Sequence, residues 1–170
     1  MSKTRMRHLL VSGAACLLLS AGWLFQPAKR LIFNTTASAP FGFYWLAANE
    51  PAIGDLALVR PPQALARWMA IRGYLPLNVP LIKHVAAVGG QAVCARGGRV
   101  RIDGQVVARP LHRDHLGRPM VAYSGCRTLR ADEVFLLNPH APHSLDGRYF
   151  GPLPRHCVAG RLRPLWTWER

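Results

Sequence analysis

Leu81-Ile82-Lys83-His84-Val85-Ala86-Ala87-Val88-Gly89-Gly90-Gln91-Ala92-Val93-Cys94, continuing through Gly97-Gly98 into Arg99-Val100-Arg101-Ile102-Asp103-Gly104-Gln105-Val106-Val107, is the stretch whose reading decides the fold class. Short apolar runs alternate with glycine pairs, and no run is long enough for a helix of several turns. On both sides of Asp103-Gly104 the residues alternate in polarity, the pattern of a β-hairpin closed by a two-residue turn. The same reading extends outward. Glu133 to Leu137 is a strand stopped by Asn138-Pro139, and Val158 to Leu162 is a last one. Upstream, Phe43 to Leu46 and Asp55 to Val59 are strands, the second ending at Pro61-Pro62. One helix is expected over Gln63 to Arg72, starting after the prolines with Leu65, Trp68 and Met69 on one face and ending at Gly73-Tyr74-Leu75-Pro76. With 15 Gly and 14 Pro, turns are frequent. The expected fold is mostly β, a curled or barrel-like sheet in one domain.

The formal charge is +14, from 22 Lys/Arg against 8 Asp/Glu. Charge alone suggests nucleic acid or an anionic membrane surface. The basic residues are scattered, without zinc-finger spacing, a basic helix stripe or an aromatic–basic sheet motif, so the reading is lipid headgroups and no nucleic acid. Lys3, Arg5, Arg7 and His8 precede an uncharged run from Leu9 to Phe25. A cleaved signal peptide, a buried helix and a retained anchor all compete for this run, which is short beside the roughly 20 residues of a typical span. The anchor reading divides the chain into a basic cytoplasmic tail (1–8), an anchor and juxtamembrane segment (9–30) and an extracytoplasmic domain (31–170). It expects a single-pass protein of the bacterial inner membrane with its domain in the periplasm.

Four cysteines, Cys16, Cys94, Cys126 and Cys157, include no C-x-x-C pair. In an exported domain one disulfide is expected, Cys94–Cys126 first because each stands beside a candidate strand, with a pair involving Cys157 left open. His112 and His115 are three apart but lack an obvious third ligand. Phosphate-binding glycine motifs and H-E-x-x-H are absent, and no cofactor is expected.

Three segments can carry chemistry. Lys83 lies in a run that otherwise wants burial, and lysine is almost never buried unless paired or needed. At its ordinary pKa only about one lysine in 2,500 is neutral at pH 7. Lowering that pKa by roughly 3.4 corresponds to about 4.6 kcal/mol, a size that burial can supply. A neutral Lys83 amine could take a proton from a hydroxyl nucleophile; an edge-strand lysine reaching solvent is the structural alternative. Thr36-Ala37-Ser38-Ala39-Pro40-Phe41-Gly42 places Ser38 in a constrained loop, where a plain Ser/Thr linker is the alternative. Asn138 to Pro152 is turn-rich and polar. Asp146 there can pair with Arg148, or orient Lys83 directly or through Ser144, or simply form a local turn.

Ser38, Lys83 and Ser144-x-Asp146-x-Arg148-Tyr149-Phe150-Gly151 together resemble the type I signal peptidase superfamily of Ser/Lys peptidases. The closer likeness is to its conjugal-transfer branch, the TraF pilin peptidases, through Ser38-Ala39-Pro40-x-Gly42-x-Tyr44, Arg72-Gly73-Tyr74-Leu75-Pro76 and Lys83-His84-Val85-Ala86-Ala87. The resemblance implies a serine endopeptidase with Ser38 as nucleophile and Lys83 as general base. It also implies Thr36 and the Ser38 N–H at the oxyanion, Ser144 on the lysine amine and Asp146 as the box carboxylate. It implies an exported pilin precursor as client, with cyclisation as a further outcome, inner-membrane lipid and other conjugation-apparatus proteins as neighbours, and no metal or organic cofactor. Ala39 stands where general signal peptidases carry Met, and Asn138-Pro139-His140 replaces their Gly-Asp-Asn. Both departures point away from a housekeeping secretory role. The competing functions are a general signal peptidase, a non-catalytic scaffold of a secretion or conjugation apparatus and, on charge alone, a DNA-binding protein.

Overall fold

At the Asp103-Gly104 turn both residues take left-handed backbone, φ 48° and 83°, which two-residue hairpin turns of this kind require. The computed structural model describes residues 3–24 and 30–169. Its strands are β1 (Leu31–Asn34), β2 (Phe41–Ala47), β3 (Leu56–Val59), β4 (Leu81–Val88), β5 (Ala92–Arg96), β6 (Arg99–Ile102), β7 (Gln105–Ala108), β8 (Gly125–Thr128), β9 (Glu133–Leu137), β10 (Leu153–Pro154) and β11 (Val158–Trp168). The helices are α1 (Lys3–Leu24), α2 (Gln63–Ile71) and the single turn α3 (Gly147–Phe150).

Two sheets result. The larger has the order β1-β2-β11-β3-β4-β9-β10 and the smaller β7-β6-β5-β8. The turn at Gly89-Gly90 separates β4 of the first from β5 of the second, so the chain changes sheets where glycine allows a sharp reversal. Both sheets are open, and the expectation of a curled or barrel-like sheet is corrected. Closure would need β1 and β10 to hydrogen-bond, but β1 pairs with β2 and the two-residue β10 pairs with β9. Pro154 has no N–H with which to extend that edge.

Mostly β is the observed class, and the hairpin, β3, β4, β5, β9 and α2 fall where the sequence pattern places them. Strand β11 continues beyond Leu162 to Trp168, because the chain absorbs Pro164 in a shift of register between Pro164 and Trp166 instead of stopping there. That length lets β11 insert between β2 and β3. Strands β1 and β8 were not legible: both are short and carry little alternation.

The apolar residues sort into three contacts. Met69 of α2 packs with Val59, Val85, Leu136 and Leu153 on the large sheet. Val93, Val100, Ile102 and Phe135 join the two sheets. Ala39, Tyr44, Leu58, Ile82 and Leu162 hold the β1–β2 connection against the sheet. Trp68, on the expected apolar face of α2, is 37% exposed and stands with its ring centroid 5.6 Å from that of Tyr74.

The expected transmembrane helix is not found. Among the described residues no helix is long and apolar enough to cross a membrane. Helix α1 has 22 residues, but Lys3, Arg5 and Arg7 occupy its start, and Ser12, Gly13, Ser20 and Gly22 dilute the remainder. The expected single-pass placement in the inner membrane rested on that helix and is overturned with it. Phe25, the end of the uncharged run, lies outside the described residues.

Cys94 and Cys126 face each other across the β5–β8 pair and form a disulfide, while Cys16 and Cys157 are free thiols. The bridge closes a loop with a sequence separation of 32. Replacing both cysteines by Ala should lower unfolding stability by about 2–4 kcal/mol in urea titrations under oxidising conditions. Equal midpoints for parent and variant would show that the bridge does not stabilise the domain.

Candidate active site

Ser38 stands in the connection between β1 and β2, and the side chain of Asn34, at the end of β1, organises that connection. Asn34 Oδ1 accepts from Thr36 N at 3.0 Å and Thr36 Oγ1 at 2.8 Å, and Nδ2 donates to the carbonyls of Thr36, Ala39 and Pro40 at 3.0 Å each. The Tyr44 hydroxyl donates to Pro40 O at 2.6 Å, and Ala39 is buried below the loop. The loop is thus held from inside, and Ser38 stays partly accessible.

Lys83 is only 2% exposed and sits in β4, paired with Ala57 of β3. Its Nζ lies 3.3 Å from Ser38 Oγ and donates to Ser144 Oγ at 2.8 Å. Burial lowers its pKa to about 8; the Asp146 charge acts upward and the Arg148 charge downward. Burial wins because the nearby carboxylate is already neutralised. Asp146 and Arg148, 0% and 2% exposed, form a two-pronged pair with Nε–Oδ1 at 2.8 Å and Nη2–Oδ2 at 2.7 Å. At pH 7 a lysine of this pKa is neutral in about a tenth of molecules, a few hundredfold more than a free lysine.

The acidic segment folds around Arg148. Its guanidinium donates to the carbonyls of Ala141 at 2.8 Å and Pro142 at 3.2 Å, curling the 138–144 loop so that Ser144 reaches Lys83. Gly147 makes this possible. A Cβ there would lie 2.8 Å from both Leu136 O and the Phe135 ring, so only glycine lets the segment rest on β9.

The structure brings Ser38, Lys83 and Ser144 into direct contact, and Thr36 Oγ1 lies 3.3 Å from Ser38 Oγ. Asp146 is one step removed: its carboxylate pairs with Arg148 and accepts from Asn138 N at 3.0 Å. Of the options open in the sequence, the pair with Arg148 and the local turn, in which Asp146 Oδ1 accepts from Arg148 N at 3.2 Å, are both seen, and no hydrogen bond joins Asp146 to Lys83 directly. Thr36 is also differently engaged, since its hydroxyl proton points to Asn34 Oδ1. Asn34 and Asn138 were missed as functional residues. The sequence signal for Asn34 is an Asx residue four positions before the candidate serine, whereas the partners of Asn138 lie too far along the chain to be read. A cleft of about 870 Å³ opens on the site and is lined by Ser38, Lys83, Phe33, Leu75 and His143 among others. An accessible hydroxyl beside a partly neutral amine can attack a carbonyl brought into this cleft.

The family model for signal peptidase, peptidase S26, matches residues 3–168. This chain belongs to that family. A plasmid transfer protein TraF from Escherichia coli is 34% identical over 170 residues, with 94% of each chain covered. A probable conjugal transfer protein TraF from Sinorhizobium fredii is 38% identical, with 91% of this chain and 85% of the relative covered. A conjugal transfer protein TraF from Agrobacterium tumefaciens is 34% identical, with coverages of 96% and 99%. The crystal structure of a signal peptidase I from Enterococcus faecalis gives a TM-score of 0.43 at 18% identity, covering 69% of this chain and 100% of that one. The superfamily expected from Ser38, Lys83 and the acidic segment is therefore the one found, and a peptide-bond hydrolase is the activity its membership supports.

Because the folded pKa of Lys83 lies below its unfolded value, the unfolded chain alone holds this proton between pH 8 and 10.5. Stability contributed by this group should therefore rise across that window. Urea midpoints at both ends should show the rise in the parent and lose that part of it in Lys83→Met; identical slopes would mean Lys83 is not held neutral. Asp146→Ala should cost about 3–5 kcal/mol in the same assay, because it leaves Arg148 buried and unpaired.

Proposed function

We propose that this chain is a serine endopeptidase that matures an exported pilin precursor for conjugative transfer, with Ser38 as nucleophile and Lys83 as general base. One observation carries the reading: Lys83 Nζ lies between Ser38 Oγ at 3.3 Å and Ser144 Oγ at 2.8 Å, in a buried position that lowers its pKa to about 8. The neutral amine accepts the Ser38 proton as Oγ attacks the scissile carbonyl carbon. Ser144 fixes the amine while its lone pair faces the serine. Negative charge then develops on the carbonyl oxygen, where the Ser38 N–H and Thr36 hydroxyl are the proposed donors. For this, Thr36 must turn its proton away from Asn34 Oδ1.

Collapse of the tetrahedral intermediate breaks the C–N bond, and Lys83 returns its proton to the leaving amine. The acyl group on Ser38 is then released by water, for which Lys83 again acts as base. If the amino group of the same pilin reaches the acyl carbon before water does, the product is a circle; local concentration and exclusion of water decide. Asp146 acts in this scheme through Arg148, holding the loop that presents Ser144. The names of the three TraF relatives, of plasmid or conjugal transfer, support the conjugative setting and other proteins of that apparatus as neighbours. The pilin client comes from the likeness of the Ser38 and Lys83 motifs to the pilin-maturing branch.

Mass spectrometry of the pilin precursor from the same genetic system, incubated with the protein, should show a shortened product, and one water less if the product is cyclic. Ser38→Ala and Lys83→Met, folded by circular dichroism, should each fall below about one part in 10⁴ of parent activity. Turnover by Ser38→Ala at the parent rate would end the proposal. The kcat/KM profile should rise with pH through a midpoint near 8, the Lys83 value, rather than near 10.5.

A further inference from the structure

Asn138 leaves the end of β9 only 2% exposed, and its side chain reaches three separate parts of the site. Nδ2 donates to the carbonyl of Ser38, and also to the carbonyl of Ile82 at 3.0 Å. Oδ1 accepts from His84 N at 3.2 Å and lies 3.2 Å from His84 Nδ1. Its own backbone N donates to Asp146 Oδ2 at 3.0 Å. Ile82 and His84 flank Lys83, so one carboxamide grips the backbone on both sides of the lysine and the backbone of the serine at once.

We propose that Asn138 is a positioning residue that sets the Ser38–Lys83 separation, by clamping the nucleophile loop to the lysine strand. The inference rests on the Ser/Lys reading above and adds to it a residue whose role is geometric. Asparagine suits the task for three reasons. The site needs two donors and one acceptor in a fixed plane, which Asp, Leu or Ser cannot provide. The amide is neutral, so it holds Lys83 without favouring its charged form as a carboxylate would. Pro139 restricts Asn138 to extended backbone, which keeps the carboxamide aimed at its partners. Asn138 does not line the cleft, so its effect should fall on the chemical step and not on binding.

The full chain has three lysines, Lys3, Lys29 and Lys83, so the Lys83 signal can be followed by NMR of lysine-labelled protein. Parent, Asn138→Ala, Asn138→Asp and Ser38→Ala are titrated, and turnover of the pilin precursor is measured for each. The proposal expects kcat to fall on the order of 10²-fold in both Asn138 variants, the cost of misplacing a reacting atom by about 1 Å. KM should stay within about twofold. The Lys83 midpoint should move up from about 8 in both, further in Asn138→Asp, where a carboxylate faces the strand.

Three results would overturn it: kcat within about threefold of the parent and an unmoved Lys83 midpoint, a raised KM with unchanged kcat, or unfolding of both variants, including the isosteric Asp. Ser38→Ala separates the two levels. If it is inactive while the Asn138 variants are fully active, only the clamp fails. If it is active, the Ser/Lys reading fails and the clamp with it.

Discussion

A lysine amine is held almost out of water between strands of an open sheet, and the rest of the site can be understood as what that placement requires. Burying an ammonium is costly, and here the cost is met by lowering its proton affinity, with Lys83 brought to about 8. A bare carboxylate beside it would reverse the effect. Asp146 is present but is already paired with Arg148, so its attraction for the lysine proton is largely cancelled. The buried ion pair thus serves two ends. It satisfies two charges that would be destabilising alone, and it leaves burial as the dominant influence on Lys83.

Around this centre the polar groups are satisfied by fixed partners. Asn34 holds the loop that carries Ser38, Arg148 holds the loop that carries Ser144, and Asn138 joins both regions to the strand of Lys83. Each is a buried side chain that bonds to backbone groups, which are rigid targets. Contacts among flexible side chains alone would leave Ser38 and Lys83 free to drift. The apolar contacts support this frame from below: Ala39, Tyr44, Leu58, Ile82 and Leu162 pack as one group under the Ser38 loop and the start of the lysine strand.

Two expectations drawn from pattern did not survive packing. A curled or barrel-like sheet was expected from many short strands, but strand count does not determine closure. Closure depends on whether the edge strands can meet, and here the edges are a four-residue and a two-residue strand. The membrane-spanning helix was expected from an uncharged run after a basic start. Length and apolarity must hold together over about 20 residues, and the basic start and small residues of α1 leave too little.

By itself the sequence determined most of the local structure: the Asp103-Gly104 hairpin, the lysine strand and the α2 segment after its prolines; it favoured Cys94 with Cys126 but left Cys157 open, and the structure settled that pairing. A lysine in an apolar run is anomalous wherever the chain folds, and so Lys83 stood out, whereas the grouping of Ser38, Lys83 and Ser144 came from the family resemblance of their motifs. The hairpin, the strand, the helix and the anomalous lysine depend on neighbours a few residues away, and turn geometry and burial preference act at that range. Tertiary structure alone decided that β11 inserts between β2 and β3, that the Asp146 carboxylate meets Arg148 directly, that the Thr36 proton is given to Asn34, and that Asn138 touches Ser38 from 100 positions along the chain. Such choices are made between donors and acceptors brought together only by packing, and nothing in the order of residues distinguishes which acceptor a buried amide or guanidinium will meet.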